Sequence, residues 1–417
     1  MLRQIEGSRA VAESVALCRP QVVCAYPISP QTHIIEGVGA LVKSGRLKPC
    51  EFLNVESEFA AMSVSIGASA AGARAYTATS SQGLLFMAEA VFNASGLGLP
   101  IVMTVANRAL GAPINIWNDH SDAMALRDSG WVQLFAETNQ HAVDLHVQAF
   151  RLAEELSVPV MVCMDGFILT HAVERVEIPT QEQVDRYLPP FLPQQVLDPA
   201  SPVSIGAMVG PEAFTEVRYL AQARQVEALV RIPELAAEFE RVVGRPSGGL
   251  VSGYRNEDAE TIVVALGSVV GTIKDVVDAM REEGTKIGVV SPTTFRPCPE
   301  EALAAALEGA HRVVVIEKAF ALGSRGILGA DVDALISNRG TKTYTVIAGL
   351  GGRAITEGSL RRVFGEAIRG ELEAVNFLDL DRGVVDRELA RMADDPRTAP
   401  SIERVLRDVR QSAARIV

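Results

Sequence analysis

The sequence predicts an α/β protein: a doubly wound parallel sheet in its first half, then a smaller α/β domain. Two observations carry that class. Up to about residue 175, short apolar runs alternate with helix-length segments, and the alternation resumes at Thr261. Between the two lie a proline-rich stretch, "YLPPFLPQQVLDPASP", and a Gly/Ser-rich hinge, "GRPSGGLVSG". Strand and helix in alternation imply a parallel sheet covered on both faces.

In order along the first half, residues 22–26, 52–55, 75–79, 101–106 and 158–164 read as buried strands, each short and bounded by turn residues. Residues 58–71, 84–95 and 142–156 read as helices between them. The 60–72 segment is mostly Ala, Ser and Gly, so its helix can approach neighbours or a ligand closely. The proline-rich stretch is irregular, but its Tyr, Phe and Leu residues predict that it packs on a surface. A helix is predicted over about 213–243. The second unit then runs "TIVVALGS", helix, "KIGVVSP", helix, "RVVVIEK" and later "TYTVIAGLGG". The expected layout is a first domain over 1–235, a linker over 236–258, a second domain over 259–370 and a charged helical arm over 371–417.

Composition narrows the function. At 417 residues the chain can build two or three domains with proper cores. Its 39 basic and 51 acidic residues leave a charge of −12, which argues against nucleic acid or an anionic membrane as partner. No apolar run is long enough to span a bilayer, and the opening Met-Leu-Arg-Gln-Ile-Glu is too polar for a signal peptide. Five cysteines, Cys18, Cys24, Cys50, Cys163 and Cys298, include no C-x-x-C pair, so neither a disulfide framework nor a cluster or zinc site made by cysteines of this chain is expected. A cytoplasmic globular protein is the expectation.

In such sheets a ligand sits beyond the carboxyl ends of the strands, so the loops there are the candidates. In "AYPISPQTHIIE", Ser29 before Pro30 fits a helix N-cap with proline at the first helical position. The alternative is a hydroxyl and helix end facing an anion. In "NVESEFAAM", Glu56 and Glu58 open a helix; they either favour its dipole or hold a heterocycle nitrogen in a dry site. Arg108 directly follows an apolar strand and needs a partner: a substrate carboxylate, bound bidentately, or an internal Asp or Glu. Asp119, His120 and Asp122 read as a polar-network loop rather than metal ligands. "SSQG", residues 80–83, reads as a turn and helix start.

Together, "AYPISPQTHIIE", "ESEFAAMSVSIGASAAGARAYTATSSQGLLFM", "NRALGAPINIWNDHSDAMALRDSGW" and "MDGFILTH" resemble the α subunit of 2-oxoacid:acceptor oxidoreductases, of which pyruvate:ferredoxin oxidoreductase is the familiar member. "ALGSVVGTIKDVVDAMREEG", "SPTTFRPCPEEAL" and "AGLGGRAIT" resemble that family's transketolase-C-like domain. The resemblance spans about residues 5–365. It implies a thiamine-diphosphate-binding domain of the pyrimidine type, sharing its cofactor with a β-type subunit. That subunit would bring the diphosphate and Mg²⁺ through a G-D-G motif, which this sequence lacks. Iron–sulfur clusters of the 4Fe–4S type would sit in γ-type and ferredoxin-like partners, with a flavoprotein NAD subunit as a further option, in a dimer of heteromers. Coenzyme A would be the co-substrate.

Carried residue by residue, the resemblance makes Glu58 the catalytic carboxylate on the cofactor's pyrimidine nitrogen, with Glu56 its neighbour. Arg108 would bind the substrate carboxylate. Ser29 stands where the family commonly has Thr in "YPITP", near the substrate. Tyr26, Pro27 and Gln82 would line the cofactor. Ser29 removes a methyl group and Gly111 adds no bulk, which favours an aryl 2-oxoacid such as phenylglyoxylate by about 1 kcal/mol. Pyruvate is the alternative substrate. The rival functions are a lipoyl-linked dehydrogenase component and a non-catalytic scaffold with a decayed site.

Overall fold

The computed structural model describes residues 2–394 and 401–413. The first domain opens with β1 (Leu2–Glu6), α1 (Gly7–Leu17), β2 (Val22–Ala25), α2 (Thr32–Lys43), β3 (Glu51–Asn54), α3 (Glu58–Ala70) and β4 (Ala75–Thr79). It continues through α4 (Ser81–Phe86), α5 (Ala88–Gly96), β5 (Val102–Asn107), α6 (Ser121–Ala125), β6 (Val132–Phe135) and α7 (Asn139–Leu156). It closes with β7 (Val160–Asp165), β8 (Val173–Glu177), α8 (Gln181–Tyr187) and the long α9 (Phe214–Val243). Strands β4, β5, β6 and β7 are buried at every residue, as strands covered by helices on both faces must be.

The second domain comprises β9 (Val251–Tyr254), β10 (Thr261–Ala265), α10 (Val269–Glu282), β11 (Ile287–Pro292), β12 (Thr294–Arg296), α11 (Glu300–Ala306) and β13 (Arg312–Glu317). After these come α12 (Ile327–Ile336), β14 (Lys342–Ile347), α13 (Glu357–Arg369), β15 (Val375–Phe377), α14 (Arg382–Asp394) and α15 (Ile402–Ala413). Its sheet has the order β15-β14-β13-β10-β11-β9, parallel except for β9.

The first sheet has the order β12-β6-β7-β5-β4-β2-β3, parallel except for β12. From β2 the chain steps to β3 on one side and to β4 on the other. That reversal makes a crevice at the carboxyl ends of β2 and β4, the place where α/β sheets take ligands. Strand β12 is lent by the second domain, and one apolar core runs through both domains. Phe135 packs edge-on against Phe295 at 5.9 Å between ring centroids, and both are fully buried. Burial of such a ring stabilises by about 1.5–3 kcal/mol, so the domains share a core rather than a hinge.

Several expectations need correction. The 52–55 run forms β3, but as an edge strand with a single neighbour, and it is largely exposed. The helix expected over 84–95 is two helices that break at Met87. The 236–258 segment is not a free linker: α9 runs on to Val243, and β9 pairs with β11. Nor is 371–417 wholly an added arm, since β15 extends the second sheet in parallel beside β14. Strands β1, β6 and β8 were not expected, because β1 and β8 are polar and exposed and β6 is only four residues long. The proline-rich stretch does pack down. Leu197 N–H donates to Ala70, Gln194 to Glu155 and Gln195 to Leu97, all at backbone carbonyls. All five cysteines are free thiols.

Candidate active site

Four loops meet at the crevice: those following β2, β3, β4 and β5. Ser29 is not an N-cap. Ile28 carbonyl accepts from both Gln31 and Thr32 N–H, so Ser29 and Pro30, joined by a cis peptide, lie inside a turn and α2 starts only at Thr32. Gln31, fully buried, fixes that turn: its Oε1 accepts from Ile28 N–H, and its Nε2 donates to Ala78 carbonyl of β4 at 2.8 Å. Tyr26, Pro27 and Ser29 are exposed on the resulting rim.

After β3, Ser57 caps α3 by accepting from Ala60 N–H. The cap separates the two acidic candidates. Glu56 is exposed, whereas Glu58 is only 6% exposed. The Glu58 carboxylate makes no hydrogen bond or ion pair among the described residues. It lies against Gly83, where a Cβ would stand 2.5 Å from Glu58 Oε1 and 2.7 Å from Thr79 Oγ1. Thr79 Oγ1 is itself buried without a partner. The carboxylate is thus presented at the crevice without a partner among the described residues, where a donor could bond it.

After β4 the chain turns at Ser81, whose φ of 51° is a left-handed conformation that costs a non-glycine residue about 1–3 kcal/mol. Two bonds hold it there: Ser81 N–H donates to Asp122, and its hydroxyl donates its one proton to Ala109 carbonyl or Gln82 Oε1, each at 2.5 Å. Gln82 is half-buried, and its Nε2 would lie 2.6 Å from a Cβ on residue 111.

Arg108, after β5, is 6% exposed, and among the described residues no carboxylate bonds its guanidinium. It donates from Nη1 to Ser29 carbonyl at 2.9 Å and from Nε to Asn115 carbonyl at 3.0 Å. Nη2 makes no hydrogen bond among the described residues. Burial lowers its pKa, partly offset by Asp122 nearby. Among the described residues the internal ion pair allowed by spacing is therefore not formed, and one edge of the guanidinium has no partner.

Asp122 ties the site together. Its carboxylate accepts from Ser81 N–H, Arg108 N–H, Asn107 Nδ2 and Ala123 N–H at 2.8–3.0 Å. Burial nevertheless pushes its pKa up to about 6. Asp119, His120 and Asp122 do not converge as ligands. Asp119 accepts from Ser121 and from Gly351 N–H, while His120 Nε2 is 2.6 Å from Asp165. Asp165, the last residue of β7, also meets Lys318 at 3.0 Å and Ser268 N–H at 3.0 Å, both from the second domain. Lys318 and His120 hold the Asp165 carboxyl well below the usual range despite its burial. Sequence reasoning missed Gln31, Asn107, Asp165 and Lys318. Only Lys318, a cation closing the apolar run "RVVVIEK", carried a visible signal.

A cavity of about 1050 Å³ lies elsewhere, between α9 and residues 296–302, and contains none of Ser29, Glu58, Gln82 or Arg108. The candidate residues lie at the crevice instead. A family model for pyruvate flavodoxin/ferredoxin oxidoreductase, thiamine diphosphate-binding, matches residues 13–236, more than half of the chain.

The chain belongs to this family.

A second model, pyruvate:ferredoxin oxidoreductase core domain II, matches residues 259–359 of the oxidoreductase chain. A pyruvate synthase subunit PorA of Methanosarcina barkeri is 50% identical over 87% of this chain and 91% of its own. The PorA subunit of Thermotoga maritima is 45% identical over 89% and 95%. A ketoisovalerate oxidoreductase subunit VorA of Pyrococcus abyssi is 37% identical over 92% and 96%. Among solved structures, the 2-oxoglutarate:ferredoxin oxidoreductase of Magnetococcus marinus superposes with a TM-score of 0.66 at 20% identity, over 88% of this chain and 65% of that one. A split-gene transketolase superposes at 0.52 and 14% identity, over 89% of this chain and all of its own. These two show the fold. The protein is an oxidoreductase subunit acting on 2-oxoacids as part of a complex. Among the described residues, no helix is long and apolar enough to cross a membrane.

Proposed function

We propose that this chain is the α subunit of a pyruvate-oxidising, coenzyme A-acylating complex and provides the pyrimidine half of its thiamine site. The observation that carries the reading is Glu58, a buried carboxylate without a partner above a glycine that leaves it room. Bound thiamine diphosphate would supply the electron sink for decarboxylation of a 2-oxoacid. Glu58 fits the pyrimidine nitrogen: it would hold that nitrogen's proton and so orient the ring, while Thr79 Oγ1 offers a second polar contact. Arg108, with Nη2 free and its other nitrogens anchored, would bind the substrate carboxylate, and Asp122 would fix its backbone in place. The exposed rim at Tyr26, Pro27 and Ser29 would close over the ligand, with Gln82 beside it.

Leu53 on β3, Phe59 beside Glu58 on α3, Leu85 and Phe86 on α4 and Phe92 on α5 are exposed. Exposed apolar side chains on the elements that carry Glu58 and Gly83 suit a protein interface, and a β-type subunit bringing the diphosphate and Mg²⁺ would cover them. Clusters, and any NAD-linked flavoprotein, belong on this reading to other chains.

The PorA relatives at 45–50% identity favour pyruvate over an aryl acid. A Cβ at residue 111 would meet the amide end of Gln82, so Gly111 has a neighbour within the chain and need not signal a larger substrate. The test is a substrate panel on the intact complex with coenzyme A, offering ferredoxin and NAD⁺ in turn. Pyruvate should give the highest kcat/KM; a preference for phenylglyoxylate, 2-oxoisovalerate or 2-oxoglutarate would overturn the assignment.

A further inference from the structure

We propose that Glu6, His33 and His171 form a binding site for a divalent transition-metal ion of the zinc class, on the flank of the substrate loop. The three come from separate segments: the end of β1, the first turn of α2, and the turn after β7. One ligand atom from each lies within 4.8 Å of the other two. Among the described residues no other group of three or more His, Cys, Asp or Glu is so placed. The chain has six histidines, so two meeting at one carboxylate is a concentrated use of them.

The donor chemistry is specific. Two imidazoles and one carboxylate form the three-ligand set of open zinc sites, which keep a fourth position for water. His33 Nδ1 stands 2.7 Å from Glu6 Oε1, a contact that a proton holds and that an ion would widen to about 3.3 Å between ligands in a tetrahedral shell. His171 Nδ1 lies 2.8 Å from Thr170 Oγ1, which also accepts from Phe167 N–H at 2.8 Å. Donation of Nδ1–H to that hydroxyl leaves the Nε2 lone pair for a ligand, the outer-shell arrangement usual for metal-bound histidine. The two rings lie 4.7 Å apart and tilted by 34°, and Phe167 packs against His171 at 4.8 Å.

The ion would fasten three segments beside the crevice, one of them α2, which follows the loop after β2. Helix α2 continues directly from Ser29–Pro30. Pro30 lies against Gly166, where a Cβ would stand 2.5 Å from Pro30 Cγ. An ion at His33 and His171 would pin both ends of that contact.

The test uses the purified complex, dialysed against EDTA and titrated with zinc chloride by calorimetry, with cobalt(II) absorption as a second signal. Wild type should bind one more equivalent per α chain than the His33→Ala/His171→Ala variant. Thr170→Val should weaken that binding roughly 10–100-fold. If the double variant does not assemble, Glu6→Gln, which keeps shape and hydrogen bonding, takes its place under the same criterion. Wild type binding no more zinc than the variant overturns the proposal.

Discussion

The carboxylate of Glu58 and the backbone of Gly83 touch: a single carbon added to residue 83 would stand 2.5 Å from Glu58 Oε1. The acid after β3 and the turn after β4 are thus fitted to one another. Gly83→Ala should displace the carboxylate and weaken thiamine diphosphate binding, with a stability cost of about 1–3 kcal/mol from overpacking. Cofactor titration of the complex followed by fluorescence quenching is the check. Unchanged affinity would mean that Glu58 does not need its present place.

Arg108 is held by Ser29 and Asn115 carbonyls on one side and is open on the other. Arg108→Ala should raise KM for the oxoacid and lower kcat, with kcat/KM down roughly 10–100-fold, the worth of a charge-assisted hydrogen bond of about 1.5–3 kcal/mol. Steady-state kinetics decide it. An unchanged profile would assign the carboxylate to another residue.

Asp122 titrates in an accessible range. Folding raises its pKa from 3.8 to about 6, so the native state binds more protons than the unfolded chain between those values. The stabilisation from this group is complete below about pH 4 and is lost as pH rises through about 6. Asp122→Asn removes that titration. Between pH about 5 and about 7 the variant's Tm should therefore fall less than that of wild type. Equal slopes in the two proteins would show that Asp122 carries its charge throughout.

Lys318 has the opposite sign of linkage through Asp165, whose pKa is held far below the ordinary range. The stabilisation exists at neutral pH and is lost only in acid. Lys318→Met leaves the Asp165 carboxylate, 1% exposed, without its cation. Breaking one side of a buried pair costs about 3–5 kcal/mol. Thermal unfolding at neutral pH should register most of that; a loss near zero would mean His120 and Ser268 suffice.

The parallel sheets were legible because β4, β5 and β7 are apolar runs between turn residues, and such runs report burial directly. Edge and lent strands were not. β3 carries Glu51 and Asn54, and β12 is three residues that pair with another domain's sheet, so neither has a local signature. At the site, Arg108 could be picked out because it stands immediately after a strand, where a charge needs a reason, and Glu58 because it opens the helix that follows one. Glu58 could be told from Glu56 only by resemblance; the structure separates them by burial. Of the two readings of Ser29 the helix cap fails, because the bond that sets its turn runs from Gln31 to Ala78, 47 residues away. Long-range partners of that kind, Asp165 with Lys318 included, leave no periodicity to read.

Glu58→Gln in the intact complex tests the central claim most directly, since the amide keeps the shape of the carboxylate and removes its ability to hold a proton. Pyruvate- and coenzyme A-dependent acceptor reduction should fall at least about 100-fold, with assembly and Tm unchanged. Near-normal turnover in that variant would contradict the assignment of Glu58, and with it the reading of this crevice as half of a thiamine site.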